Sequence, residues 1–415
     1  MKGVYQFARK FECVFNRLDT SYDTMCVLNY YLIFMGKLAL FIAVPIMICY
    51  VGVPLLIYFV PYIVHHFFFL HLIRYPFNDY KNLSAHGVKS IGRNFYIDVP
   101  ARFIGDITKM HGQREKYAET GAARIGVWHI LPASVSSTLR AAPKFSPDRL
   151  PSDVEMEELM EQGSENILIY FHGNSFDRTT EHRCQLYNIL AGMQFHVLAI
   201  DYRGYGDSKG TPSEDGLAAD AHAVYEYARR VAPSKLVIVW GHSMGTGVAT
   251  RLAAELSDAT CPPDAVVLEA PFNNLRDVIR GHPLSKPLRI LPWFDACVIN
   301  PLKKSGLVMS SDERIRRVTC PVLIMHAVDD HIIPVELARR LVESAREAKV
   351  RIKYVEFESD YEFKHKFIHR HEGLPQLIGE FIAEATLAPR PITGCKMDAT
   401  RANVAEEKRV EKNGE

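Results

Sequence analysis

The chain has 415 residues, more than one ordinary domain needs, and an α/β domain of roughly 250 residues fits inside it with a sizeable N-terminal piece to spare. Lys and Arg total 49 against 48 Asp and Glu, a formal net charge of +1, so no global field draws the protein to nucleic acid and no nucleic-acid partner is expected. The eight cysteines, Cys13, Cys26, Cys49, Cys184, Cys261, Cys297, Cys320 and Cys395, form no CxxC pair and no zinc-ligand spacing, which argues against a disulfide scaffold and a metal site.

A polar leader, 1–37, precedes the run LALFIAVPIMICYVGVPLLIYFVPYIV at 38–64. No charge interrupts the run, and it exceeds the roughly 20 residues a helix needs to cross the hydrocarbon core. A soluble core helix is seldom apolar on every face for so long, so a membrane-integrated chain with one transmembrane anchor is expected. Pro45, Pro54 and Pro61 each delete a backbone donor, and the alternative they favour is a re-entrant or interfacial segment. A cleaved signal is disfavoured by the length of the run and its late start. Lys2, Arg9, Lys10, Arg17 and Lys37 precede the span while Arg74, Lys81, Lys89 and Arg93 follow it, a charge bias that only slightly favours a cytosolic N-terminus. HHFFFLHL at 65–72 extends the apolar character, as an interfacial segment or as the end of the same helix. The sequon Asn82-Leu83-Ser84 follows, where a lumenal location would permit glycosylation of Asn82.

After a linker at 65–120, short apolar runs begin near 124, 166, 195, 235, 265 and 321, with helical patterns at 180–193, 213–231, 244–256 and 334–348 between them. Buried strands alternating with helices predict a doubly wound, mostly parallel sheet over 121–387 that binds ligands at the strands' carboxyl ends. The tail, 388–415, is charged and poor in apolar residues, and is expected to be disordered.

One motif carries the chemistry. KLVIVWGHSMGTGVATRLAAEL sets Gly241-x-Ser243-x-Gly245 between an apolar run and an Ala/Leu-rich helix, the setting in which GxSxG forms the nucleophile elbow of the α/β-hydrolase fold. The glycines leave room for a sharp turn that projects the Ser243 hydroxyl, and the helix N-terminus behind it favours negative charge. Dehalogenase-like and epoxide-hydrolase-like chemistry is disfavoured, because it needs a carboxylate at the elbow. A serine hydroxyl needs an imidazole to take its proton, and the imidazole needs a carboxylate to hold its tautomer. Asp330, at the end of PVLIMHAVDD, is the expected acid, with Asp329 its competitor. For the base, FKHKFIHRHEGLPQLIGEFI offers His365, His369 and His371; spacing cannot order them, and the loop position before helical periodicity favours His365. The oxyanion is expected to meet the backbone N–H of Met244 and, from the loop YFHGN at 170–174, that of Asn174 or Ser175. This chemistry calls for no cofactor and no metal.

FHGN at 171, DYRGYGDSKGTPSE at 201, WGHSMGTGVAT at 240, PPDAVVLEAPFNN at 262 and HAVDD at 326 with its following Pro334 resemble the membrane-anchored lysophosphatidylserine lipases, the α/β-hydrolase domain-containing protein 12 family. The resemblance runs from about 125 to about 381. It implies a single-pass anchor in the endoplasmic-reticulum membrane, a lumenal catalytic half, and lysophospholipids and monoacylglycerols as lipid substrates. It also places Lys364-His365-Lys366-Phe367-Ile368 on the family's final block, supporting His365 as base. The elbow carries Met244 where Leu is usual, a difference that concerns side-chain packing and leaves the backbone donor intact. The insert 275–307, with ILPWFDACVI inside it, is a candidate greasy cap beside the site or a cover over the sheet. Arg178, Arg183, Lys303 and Lys304 are the candidates to meet an anionic headgroup at the mouth. The rival reading on the same scaffold is a membrane serine peptidase or protein depalmitoylase, and a catalytically silent scaffold is the reading outside enzymology.

Overall fold

The computed structural model describes residues 21–59, 68–72, 78–103, 119–142, 150–282, 285–286, 289–290 and 293–387. The tail at 388–415, residues 1–20 of the leader and 60–64 of the expected anchor lie outside them.

Eight strands form the main sheet: β1 Gly92–Val99, β2 Ala123–Ile130, β3 Asn166–Phe171, β4 Phe195–Ile200, β5 Val237–His242, β6 Ala265–Glu269, β7 Val322–Ala327 and β8 Ile352–Phe357. Their spatial order is β1-β2-β4-β3-β5-β6-β7-β8. From β4 through β8 every pairing is parallel, whereas β2 runs antiparallel to both β1 and β4. The central strands are apolar without alternation because both faces are covered. In β3, Ile167, Ile169 and Phe171 join one core cluster, while Leu168 and Tyr170 join the other.

Helices cover both faces. Among them, α2 Glu181–Gly192, α3 Glu214–Val231, α4 Met244–Asp258, α5 Val335–Glu347 and α6 Leu374–Leu387 follow α1, the long N-terminal helix Ser21–Met47. Buried residues of α3, α4 and α5 belong to the first cluster, and those of α2 and α6 to the second. Each Val, Leu or Ile so buried contributes about 1.5–3 kcal/mol. The central helix α4 carries Ala249, Ala253 and Ala254 at the sheet, all fully buried, so its axis can approach the strands closely.

The N-terminal helix begins at Ser21, well before the apolar run expected from residue 38. A charge ends an apolar run without ending a helix, and Lys37 is a good helix former. Past Pro45 the register widens into a π turn at Ile48–Gly52 and resumes as the helix Val53–Phe59, as expected where proline removes a backbone donor from the ladder. Leu28–Leu56 is long and apolar enough to cross a bilayer, and its residues lie almost entirely outside the protein core. Its far end is not isolated: Val53–Phe59 packs against Asp295–Ile299 of the insert, with Lys304 Nζ 5.5 Å from the centre of the Tyr58 ring. Farther on, Phe69, inside the expected interfacial run, is fully buried in the first core cluster and belongs to the globular body.

Candidate active site

Ser243 lies between the end of β5 and the start of α4, at φ 53° and ψ −121°, a region that non-glycine residues occupy only when the surroundings impose it. The surroundings do impose it. The Ser243 N–H donates to the Glu269 carbonyl at 2.9 Å, and a Cβ on Gly241 would fall 2.4 Å from the Gly245 oxygen, one on Gly245 2.1 Å from the Phe171 oxygen. Only glycine at both positions lets strand, turn and helix close this tightly.

The Ser243 hydroxyl meets His365 Nε2 at 2.8 Å, and His365 Nδ1 meets Asp330 Oδ2 at 2.7 Å. Asp330 follows β7, and its Oδ1 accepts the N–H groups of Ile332 and Ile333 at 2.8 and 2.9 Å. Burial by itself would push this carboxyl up; hydrogen bonds from His326 and His365 outweigh burial and hold it well below the usual carboxylate range. Asp330 therefore stays ionised beside the imidazole, as a tautomer-fixing partner must.

The competing residues are occupied elsewhere. Asp329 Oδ1 accepts the Lys364 N–H at 2.9 Å, bracing the loop that carries His365. His369 lies 2.8 Å from Gln185 Oε1, and His371 stands among the rings of Phe357 and Tyr361. Neither is bonded to Ser243.

The loop after β3 closes on Ser243: a Cβ on Gly173 would lie 3.1 Å from Ser243 Cβ. Met244 opens α4 directly after the serine, and Asn174 follows Gly173. Ser175, the alternative second donor, presents its carbonyl to Arg183 Nη2 at 2.7 Å.

Two of the four expected headgroup cations are not at any mouth. Arg178 is fully buried, bonded to Asp201, to Asp207 at 2.8 Å and to Asn94 at 2.6 Å. Arg183 is 3% exposed and gathers the carbonyls of Asp177, Gly173 and Ser175, so it shapes the loop beside Ser243. A guanidinium carries five donors in a rigid fork, which suits it to such clamping. Lys303 and Lys304 are exposed on the insert.

Sequence reasoning passed over three contributors. His326, inside β7, lies 3.4 Å from Asp330 Oδ2; His242 Nε2 donates to the His365 carbonyl at 2.9 Å; and 68–72 lies against Asn174. The histidine before the nucleophile in GHSMG was visible, but nothing in spacing tells such a residue from an ordinary core histidine.

A serine in this elbow, on a sheet of this order, places the protein among the serine ester hydrolases of the α/β-hydrolase fold. A family model described as "Serine aminopeptidase, S33" matches residues 163–303. The lysophosphatidylserine lipase ABHD12 of Danio rerio is 35% identical, over 82% of this chain and 82% of its own; that of Macaca fascicularis is 34% identical, over 81% and 78%. Human protein ABHD12B is 35% identical over 63% of this chain and 69% of its own. The chain belongs to the lysophosphatidylserine lipase ABHD12 family. Among solved structures, the Pyrococcus furiosus esterase Pf2001 overlays 75% of this chain and 95% of its own with a TM-score of 0.48 and 19% identity.

Proposed function

We propose that the protein hydrolyses the acyl ester of single-chain glycerolipids, lysophosphatidylserine and monoacylglycerols, at a membrane that its own N-terminal helix crosses. His365 Nε2 takes the Ser243 proton as Oγ attacks the ester carbonyl, and the N–H groups of Met244 and Asn174 hold the resulting oxyanion. As the tetrahedral species collapses, the ester C–O bond breaks and His365 gives its proton to the leaving glycerol oxygen. Water, deprotonated by the same imidazole, then attacks the acyl-enzyme, releasing fatty acid and restoring Ser243. The observation that carries this reading is the single imidazole bridging Ser243 Oγ at 2.8 Å and Asp330 at 2.7 Å.

Substrate class rests on the names of the relatives and on the anchor packed beside the insert, an arrangement that brings a lipid mouth to the bilayer. Lys303 and Lys304 are the remaining candidates to meet an anionic headgroup. We place the catalytic half in the endoplasmic-reticulum lumen. Asn82 is exposed with Ser84 Oγ donating to its Oδ1, a position that a lumenal glycosylation machinery could reach. The description of the matching family model favours a second reading, a serine peptidase.

One experiment separates them. Membranes carrying the wild-type chain, Ser243→Ala or His365→Ala at equal levels are given lysophosphatidylserine, monoacylglycerol and aminoacyl-peptide substrates. Fatty-acid release by wild type alone, with both variants down by orders of magnitude, is the expected result. Peptide cleavage without lipid turnover would replace the lipase reading by the peptidase.

A further inference from the structure

The second oxyanion donor belongs to a loop that does not hold itself. Phe176, two residues past Asn174, sits at φ 61°, a left-handed conformation that a bulky side chain adopts only under outside constraint. Arg183 constrains the loop from one direction through the carbonyls of Gly173 and Ser175. The other constraint comes from more than a hundred residues earlier in the chain. Asn174 Nδ2 donates to the Phe68 carbonyl at 2.5 Å, and Asn174 Oδ1 accepts the Leu70 N–H at 3.3 Å. The amide therefore pairs with the backbone on both sides of Phe69 as a neighbouring strand would. Phe69 is fully buried, and the His71 ring lies against Tyr205, 6.2 Å between centres. Tyr205 completes the lock: its hydroxyl donates to Asn174 Oδ1 at 2.8 Å and its ring lies 5.2 Å from His172, the residue before Gly173.

We propose that residues 68–72 form a strap through which the anchored N-terminal region sets the oxyanion geometry, with Phe69 and the Asn174 side chain as positioning residues. The proposal rests on the reading of Asn174 N–H as an oxyanion donor. Segments on the two sides of an amide peg fix its direction, and a donor aimed at the developing oxyanion is worth most when it cannot rotate. The strap is also the first described segment after the N-terminal helix, so it links the membrane end of the chain to the chemistry end.

The test uses the full chain in membranes, with Phe69→Ala, Phe69→Leu and Asn174→Asp. Asn174→Asp keeps an acceptor for Leu70 and Tyr205 but sets a carboxylate oxygen against the Phe68 carbonyl. Turnover is counted per Ser243 titrated to completion with a fluorophosphonate, so that misfolded protein drops out of the comparison. Loss of an oxyanion donor costs about 10²–10³ in kcat and a misplacement of about 1 Å about 10²-fold; Phe69→Ala and Asn174→Asp are expected in that range, with KM within about threefold of wild type and Phe69→Leu restoring most of the rate. Affinity for an alkyl trifluoromethyl ketone, which adds Ser243 as a tetrahedral oxyanion, is expected to fall in parallel with kcat/KM. A kcat per titrated site unchanged in both Phe69→Ala and Asn174→Asp would overturn the strap, as would a fall in kcat with trifluoromethyl ketone affinity intact. Wild-type membranes that neither take the fluorophosphonate nor release fatty acid would instead overturn the hydrolase reading itself.

Discussion

Asp329 and Asp330 are neighbours in sequence with different work to do. Asp330 Oδ1 is filled by two backbone N–H groups and Oδ2 by His365, so an asparagine there would send its oxygen to the backbone donors and its NH2 toward His365 Nδ1. The imidazole would then carry its proton on Nε2 and could not accept one from Ser243. We expect Asp330→Asn to lower kcat by about 10⁴, measured on a short soluble ester so that lipid access plays no part. Asp329→Asn keeps an oxygen for the Lys364 N–H and is expected to stay within about threefold of wild type; equal losses in the two variants would remove the distinction. The elbow position of Ser243 was legible from sequence because the turn demands glycines at fixed offsets, and the strand-end position of Asp330 because a strand end is recognisable. Spacing could not order the three histidines, and only loop position and the family resemblance favoured His365, since His365, His369 and His371 fall within one irregular stretch whose short helical turn, Ile368–Arg370, sends His369 toward α2. Arg178 and Arg183 were misplaced for a related reason: partners such as Asn94 and Asp207 are set by tertiary structure, and a sequence shows the charge without them.

Strand β6 ends in a carboxylate inside the sheet. Burial pushes the Glu269 carboxyl up to about 7, against the pull of the Trp240 indole N–H that donates to it. Its folded value thus exceeds its unfolded one of about 4.3. Below that lower value both states are protonated and the full contribution is present; as pH rises toward about 7 only the unfolded chain ionises, and stability drains away. Glu269→Gln keeps an acceptor for Trp240 and does not titrate. Relative to the variant, wild type is expected to lose roughly 2–3 kcal/mol between pH 5 and pH 8, read as a pH-dependent gap in melting temperature in detergent; a gap constant over that range would show that Glu269 ionises normally. At this scale much of the sheet was readable, because strands buried on both faces are apolar throughout and mark themselves. β1 escaped notice because as an edge strand it mixes exposed and buried positions, and β2 looked like its parallel neighbours because burial, not direction, writes the pattern. Nor does a hydropathy run report helix ends, which is why α1 starts well before residue 38.

For the molecule as a whole, topology is the open quantity with a direct readout. Asn82 caps the short turn Leu83–His86 through Oδ1 on an exposed surface, leaving its position open to a glycosyltransferase. With the catalytic half in the lumen, endoglycosidase treatment is expected to shift the wild-type band on a gel and to leave Asn82→Gln unmoved; identical mobility of treated and untreated wild type would point to a cytosolic catalytic half. A helix long and apolar enough to cross a bilayer was legible in the sequence, whereas its packing against the insert was not, since contacts such as Tyr58 with Lys304 join residues hundreds of positions apart. That packing has a kinetic consequence. Under the function proposed above, with Val53–Phe59 seated on Asp295–Ile299, the insert stays near the plane of the membrane helix, and a lipid substrate is expected to reach Ser243 by lateral diffusion. Saturation then follows the substrate's mole fraction among its neighbouring lipids, and the volume of the surrounding water drops out of the rate law.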